Sequence, residues 1–147
     1  MPPLGATITL RYAIMGTILI TAYFTVHSQT QNARDQRIRE KVEEINQYIN
    51  KKLHYGVSTM ENTNQTTEIK LNLPRIETGY ASSLECQEGK ITINTETHMP
   101  AENNIETTNI KCSEKNISGE VSPGERCLIF KEGSEETKIE MVNHCGS

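Results

Sequence analysis

The chain is poor in several residue types that enzymes use. It has no tryptophan, two phenylalanines among 147 residues and a single aspartate, Asp35. It contains no H-E-x-x-H or G-x-S-x-G pattern, no phosphate-binding glycine loop and no Asp-rich metal loop. The histidines are scattered, at His27, His54, His98 and His144. We therefore expect no catalytic residue, no metal ligand and no cofactor, and we expect that the protein is not an enzyme.

Helix-breaking residues are missing from the N-terminal third. No proline lies between residues 4 and 73, and Gly16 is the sole glycine between residues 5 and 56. Because proline and glycine are the residues that most disfavour a helix interior, one uninterrupted helix is predicted over roughly residues 6–54. Gly56 is placed to end it.

The two halves of this predicted helix differ in character. Residues 6–26, ATITLRYAIMGTILITAYFTV, are apolar all round and contain one charge, Arg11, so they must be covered on every side by lipid or protein. Residues 29–53 are amphipathic, because their apolar side chains recur at helical spacing. These are Ile38, Val42, Ile45, Ile49 and Leu53. The stripe packs on the chain's own globular part or on a neighbouring subunit, and the pattern does not separate these alternatives.

The helical period disappears after residue 56. Residues 57–67, VSTMENTNQTT, are predicted to be a polar connector, and residues 68–147 alternate apolar and polar side chains with period two. Glycine-containing turns separate the alternating runs. We therefore predict an α+β fold: a long N-terminal α-helix in residues 1–56, first hydrophobic and then amphipathic, followed by a small antiparallel β-sandwich-like head in residues 68–147.

The cysteines and sequons of the distal part indicate its compartment. The four cysteines, an even number without a C-x-x-C pair, predict two disulfides in an oxidising, extracytoplasmic compartment. Free thiols or a metal site are the alternatives. We favour the pairing Cys86–Cys112 and Cys127–Cys145, because the second bridge would close an apparent hairpin. The sequons at Asn64 and Asn116 predict glycosylation on the same side of the membrane.

Charge is divided unevenly along the chain. Residues 1–57 hold seven Lys/Arg against four Asp/Glu, a net charge of +3, whereas residues 58–147 hold eight against fifteen, a net charge of −7. An acidic distal part argues against nucleic acid as a partner, since nucleic-acid binding needs a basic face. It suits a hydrated surface that resists nonspecific association.

Residues 6–26 fit three roles. As a cleavable signal, the segment would end with Val26 and Ser28 at the cleavage-site positions. As a single anchor, it is long enough to span a membrane; the basic residues that follow it would place the head in the cytoplasm, but the cysteines place it outside, and we follow the cysteines. As a packing surface, it offers a face of small residues, Ala13, Gly16 and Thr17, that lets helices approach closely.

An apolar helix continued by an amphipathic one and followed by a β-rich head is the layout of a pilin. The chain resembles archaeal type IV pilin-like and archaellin-like filament subunits in this helix and in the stretch TTEIKLNLPRIETGYASSLECQEGKITINT. The matching positions are Leu71, Leu73, Pro74, Ile76, Tyr80, Ile91 and Ile93. The resemblance implies a structural subunit that is membrane-anchored before assembly. It would polymerise with copies of itself through the N-terminal helix and display its glycan-bearing head on an extracellular cell-surface filament for adhesion or motility.

Two features depart from that family. The start MPPLG lacks the basic residues that precede the cleavage point of a prepilin leader, so either the chain is already processed or cleavage after Gly5 does not occur. The glutamate that bacterial pilins keep near the start of the helix is also missing. The alternative function is a single-pass, membrane-anchored extracytoplasmic accessory or binding protein whose partner belongs to the envelope or a filament base.

Overall fold

The computed structural model describes residues 4–98, 104–133 and 136–146. The chain forms two compact units, Met1–Ile38 and Arg39–Ser147, and the single helix α1, Leu4–Thr63, contributes to both. Eight strands follow in the described part of the chain. They are β1 (Thr67–Leu73), β2 (Tyr80–Gln87), β3 (Lys90–Thr97), β4 (Asn104–Lys111), β5 (Ile117–Ser118), β6 (Glu120–Val121), β7 (Gly124–Lys131) and β8 (Lys138–Val142). The predicted α+β class is confirmed.

The strands form two four-stranded sheets. One has the order β1-β7-β8-β5 and the other the order β4-β3-β2-β6. Every pairing is antiparallel except that of β5 with β8, which is parallel. In β1 the apolar residues Ile69, Leu71 and Leu73 are buried and the residues between them are exposed, as the period-two alternation predicts.

The predicted end of the helix at Gly56 is wrong. The helix continues to Thr63, and Gly56 lies inside it with a packing role: a Cβ at this position would overlap the ring of Phe130. The helix ends instead before Asn64, which has a left-handed φ of 49° and donates its N–H to the carbonyl of Met60 at 2.8 Å. The polar connector of residues 57–67 is therefore replaced by seven more helical residues and a short link to β1.

The amphipathic stripe of α1 forms the core of the head. Ile45, Ile49 and Leu53 belong to the same buried cluster as Leu71, Leu128 and Phe130 of the sheets, and Val42 is also buried. Packing on the chain's own globular part is thus the correct alternative for Val42, Ile45, Ile49 and Leu53. Ile38, the last residue of the first unit, is half-buried.

A buried polar network fixes the position of α1 on the second sheet. Asn46, fully buried, donates from Nδ2 to the backbone carbonyl of Asn104 at 3.0 Å and accepts from Thr95 Oγ1 at 2.6 Å. A further hydrogen bond, 2.8 Å long, joins Thr95 to Ser82. Since an unpaired polar group in this position would be costly, sliding the helix along the sheet is disfavoured.

Two disulfides close the head, and their pairing is the one that we favoured. Cys86–Cys112 joins β2 to the residue after β4, and Cys127–Cys145 fastens the C-terminal segment to β7. No cysteine is free. The partners are separated by 26 and 18 positions in the sequence, and each bridge is expected to contribute about 3 kcal/mol to stability by restricting the unfolded chain.

Candidate functional site

The first unit leaves its large apolar side chains between Ile8 and Val26 exposed. Their exposed fractions run from 49% at Ile8 to 73% at Tyr12. The segment is long and apolar enough to span a membrane, and none of its most apolar 18-residue window is buried within the structure. Contiguous apolar surface of this extent is unusual on a soluble domain and marks a site that contacts lipid or protein.

Threonine side chains on this helix are hydrogen-bonded to their own backbone. Thr17 donates its hydroxyl to the carbonyl of Ala13 at 2.6 Å, Thr21 to that of Thr17 at 2.8 Å and Thr25 to that of Thr21 at 2.8 Å. Nearer the start of the helix, Thr9 donates its hydroxyl in the same way to the carbonyl of Gly5 at 2.6 Å. We call Ala13, Thr17, Thr21 and Thr25 the threonine ladder. Its hydroxyls have acceptors within the helix, so its outer surface can be covered by apolar groups without leaving them unpaired.

A shallow apolar groove of about 710 Å³ follows the ladder along one face of α1. Its lining residues recur at the three- and four-residue spacing of a helix face. They are Ile14, Thr17, Ile18, Thr21, Ala22, Thr25 and Val26. Small side chains alternate here with branched apolar ones, which is the arrangement that allows a second helix to approach closely.

The predicted assembly residues divide between two locations. Ala13 and Thr17 belong to the ladder, and Gly16 faces open space, because a Cβ added to it would meet no atom within 4 Å. Arg11 is exposed. The predicted residues from Val42 onward lie instead in the head core, so they do not form part of this surface. Thr21 and Thr25 were not assigned to the predicted face of Ala13, Gly16 and Thr17, although their four-residue repeat with Thr17 is visible in the sequence.

Two ionisable side chains in the described part of the head, Glu140 and Tyr80, have shifted pKa values. Glu140 contacts Lys138 at 2.7 Å and Lys131 at 2.9 Å, and the hydrogen bonds from these two lysines lower the pKa of its carboxyl. Burial raises the pKa of Tyr80 to about 12, with Arg126 opposing the shift, and the Tyr80 hydroxyl donates to the carbonyl of Pro74 at 2.7 Å. Both arrangements tie neighbouring segments of the head together.

One group of side chains in the described part of the chain has the spacing of a metal site. Ligand atoms of Glu68, Cys127 and Cys145 lie within 4.8 Å of one another. The two sulfur atoms are joined in a disulfide, so neither is available as a thiolate, the form that binds metal. This group is therefore a poor candidate for a metal ligand set.

Two open depressions lie on the head where the end of α1 meets the strands, and the sequence pattern did not predict them. One, of about 540 Å³, has His54, Lys111 and Glu136 among its lining residues. The other, of about 340 Å³, is bordered by Glu61 and Glu136 and by Asn64 of the first sequon. Both are lined by polar as well as apolar side chains, in contrast to the mainly apolar groove on the first unit.

Comparison with protein-family models, curated proteins and solved structures yields no match for this chain. What the protein does must therefore be inferred from its own surfaces.

Proposed function

We propose that the protein is a structural, non-enzymatic subunit of an extracellular surface filament of the archaeal type IV pilus or archaellum kind. The observation that carries the proposal is the apolar, unburied first half of α1. Apolar surface of this size is covered spontaneously by lipid or by protein. In the proposed function, membrane lipid covers residues 7–26 before assembly, and the same helix from neighbouring copies covers them in the fibre.

The threonine ladder favours helix–helix contact over a role as anchor alone. Lipid tails are as apolar as the leucine and isoleucine side chains, so helices in a membrane associate through close packing at small residues. Ala13, Thr17 and Thr21 provide such residues in succession, and the hydroxyl groups of the two threonines are already bonded within the helix. A helix that only anchors the protein in a membrane does not require the threonine ladder.

The head supports an extracytoplasmic location. Its two disulfides indicate an oxidising compartment, and its acidic, polar composition suits a hydrated outer surface. In the proposed filament the helices form the centre and the heads face solvent, where they serve in adhesion or motility. The partners are copies of the chain itself and, before assembly, the membrane.

Electron microscopy of purified material tests the proposal. Negative staining should show fibres of near-uniform diameter, formed by the full chain after removal of detergent. Monodisperse monomers or dimers that never polymerise would overturn the filament proposal.

A matched pair of variants tests the contact surface: Thr21→Leu adds bulk to the threonine ladder and should abolish fibres. Leu19→Phe replaces one large apolar side chain by another about 200° around the helix and should reduce fibre formation much less. If both variants form fibres, the helix–helix contact does not involve the threonine ladder.

The second candidate is a single-pass anchored accessory protein whose head binds an envelope or filament-base component. The observation that favours it is that residues 7–26 match one crossing of a membrane in length and composition. The same imaging separates the two candidates, because an anchored accessory protein stays monodisperse in detergent and forms no fibre on detergent removal.

A further inference from the structure

The two sequons of the chain lie in different structural settings. We infer that Asn64 is an N-glycosylation site of the folded head and that Asn116 is a structural residue that the fold withholds from modification. The inference requires the head to be extracytoplasmic, as the disulfides indicate, but it does not depend on polymerisation.

Asn64 stands in an open position. Residues 61–66 are all exposed, and Asn64-Gln65-Thr66 joins the end of α1 to β1 without regular structure. The backbone of Asn64 is held in the left-handed region by its N–H bond to Met60. Its side-chain amide makes no hydrogen bond to another residue in the described part of the chain. The fold thus presents this amide to solvent on a fixed turn.

Asn116 is built into the first sheet. Its Nδ2 donates to Glu136 Oε2 at 3.3 Å, its backbone N–H donates to the carbonyl of Ser113 at 3.0 Å, and its own carbonyl accepts from Ile139 at 2.8 Å. The middle residue of the sequon, Ile117, is 7% exposed and pairs with Ile139 of β8. Modification here would require Asn116 to leave Glu136 and β5 to leave β8.

The chemistry of the transfer explains why this difference matters. In N-glycosylation the amide Nδ2 forms a bond to the anomeric carbon of a phosphate-activated, lipid-linked sugar. The bond from that carbon to the phosphate oxygen breaks, the phosphate departs with the electron pair, and Nδ2 loses one proton. The amide must therefore enter the active site of a transferase with room around it, as in an exposed loop. Asn64 satisfies this requirement in the folded protein, whereas Asn116 does not.

The surroundings of Asn64 can also hold the first sugar. Asn64 borders the depression of about 340 Å³ whose other lining residues include Glu61, Glu132 and Glu136. Carboxylates accept hydrogen bonds from hydroxyl groups, so a sugar attached to Asn64 has acceptors beside it. Glu136 lies in this depression and also holds Asn116, which places both sequons on one side of the head.

Glycopeptide mass spectrometry tests the inference on the full chain, produced in a host that exports the head and glycosylates N-x-S/T sequons. A third sequon, placed in a tail added after Ser147, reports that the machinery is active. Asn64 should carry the glycan, Asn64→Gln should lose it, and Asn116→Gln should keep it. A modified Asn116 in the folded protein, or an unmodified Asn64 beside a modified tail, would overturn the inference.

A stability measurement separates the two roles independently of the glycan. Asn116→Gln should lower the melting temperature of the head, because it disturbs the bond to Glu136. The control is Thr66→Ala, which removes the other sequon at an exposed position and keeps asparagine at the left-handed position 64, so the melting temperature should not change. A chain with all four cysteines replaced by serine provides a folding control: slower or incomplete folding should allow a glycan to reach Asn116. Equal melting temperatures for Asn116→Gln and Thr66→Ala would contradict the structural role of Asn116. None of these readouts requires a fibre, so they succeed or fail separately from the proposed filament.

Discussion

Both halves of α1 carry apolar side chains, but the structure covers most of those in the second half and leaves the large ones between Ile8 and Val26 exposed. Ile49 and Leu53 are 0% exposed in the head core, whereas Ile18 is 62% exposed. The second half has a permanent partner in the sheets that follow it in the chain. The first half needs a partner from outside, and this dependence is what makes it the candidate functional surface.

Polar side chains follow the same division. Asn46 in the second half bonds to Thr95 and Asn104, residues 49 and 58 positions away. Thr17 in the first half bonds to the carbonyl of Ala13 within its own helix. Long-range hydrogen bonds fix the second half in one register on the sheet, whereas the threonine bonds of the first half are local. The position of the second half is therefore specified by tertiary contacts.

The largest expected effect comes from exchanging matched isoleucines for alanine. Ile49→Ala removes buried methyl groups from the head core and should lower its free energy of unfolding by about 2–5 kcal/mol. Ile18→Ala removes the same groups from an exposed position and should leave head stability unchanged. Urea denaturation of the detergent-solubilised full chain, followed by near-ultraviolet circular dichroism of the tyrosines, measures both. Similar losses in the two variants would show that the two halves do not differ as described.

A second comparison replaces a polar side chain in each half by an apolar one. Asn46→Leu removes the acceptor of Thr95 and the donor to Asn104, so it should lower the free energy of unfolding by about 1–3 kcal/mol. Thr17→Val keeps the branched shape and loses only a bond within the helix, so head stability should not change and fibres should still form. Denaturation midpoints and the sedimented fraction of fibres test the pair. Loss of fibres in Thr17→Val would mean that the hydroxyl itself contacts a neighbour.

Periodicity predicted the fold class but not the end of the helix. The switch from helical spacing to alternation separates α1 from β1 correctly, because each pattern reports which face of an element is buried. Gly56 suggested an end because glycine is a common C-terminal cap. Contact with Phe130, 74 positions later in the chain, gives that glycine a packing role instead. After Gly56, Val57 and Met60 continue the apolar face that packs on the core. They were not recognised because the residues around them in the sequence are polar.

The candidate surface was partly predictable for a related reason. Ala13, Gly16 and Thr17 could be identified from their spacing, since neighbours on a helix face are set by local geometry. The hydrogen bonds of Asn46 and the bond between Asn116 and Glu136 could not, because they join residues brought together only by the tertiary fold. The same limit applies to the two sequons, which are equivalent as motifs and differ only in burial and bonding.

The smallest expected effect comes from the two glycines inside α1. Replacing glycine by alanine in a helix interior is expected to stabilise it by about 0.5–1 kcal/mol where the new methyl group is free of contacts. At Gly16 it meets no atom within 4 Å, so Gly16→Ala should raise the helix content of the detergent-solubilised chain.

At Gly56 the methyl group would overlap the Phe130 ring, and overpacking of a core typically costs about 1–3 kcal/mol. This cost is larger than the gain in helix propensity, so Gly56→Ala should lower the free energy of unfolding of the head by about 1 kcal/mol. Far-ultraviolet circular dichroism should show more helix in Gly16→Ala, and thermal melting should show a lower melting temperature in Gly56→Ala. These opposite effects are expected if α1 is free of contacts at the first glycine and packed at the second. A more stable Gly56→Ala head would show that Phe130 can move aside, and that the head holds the second half of the helix less tightly than its burial implies.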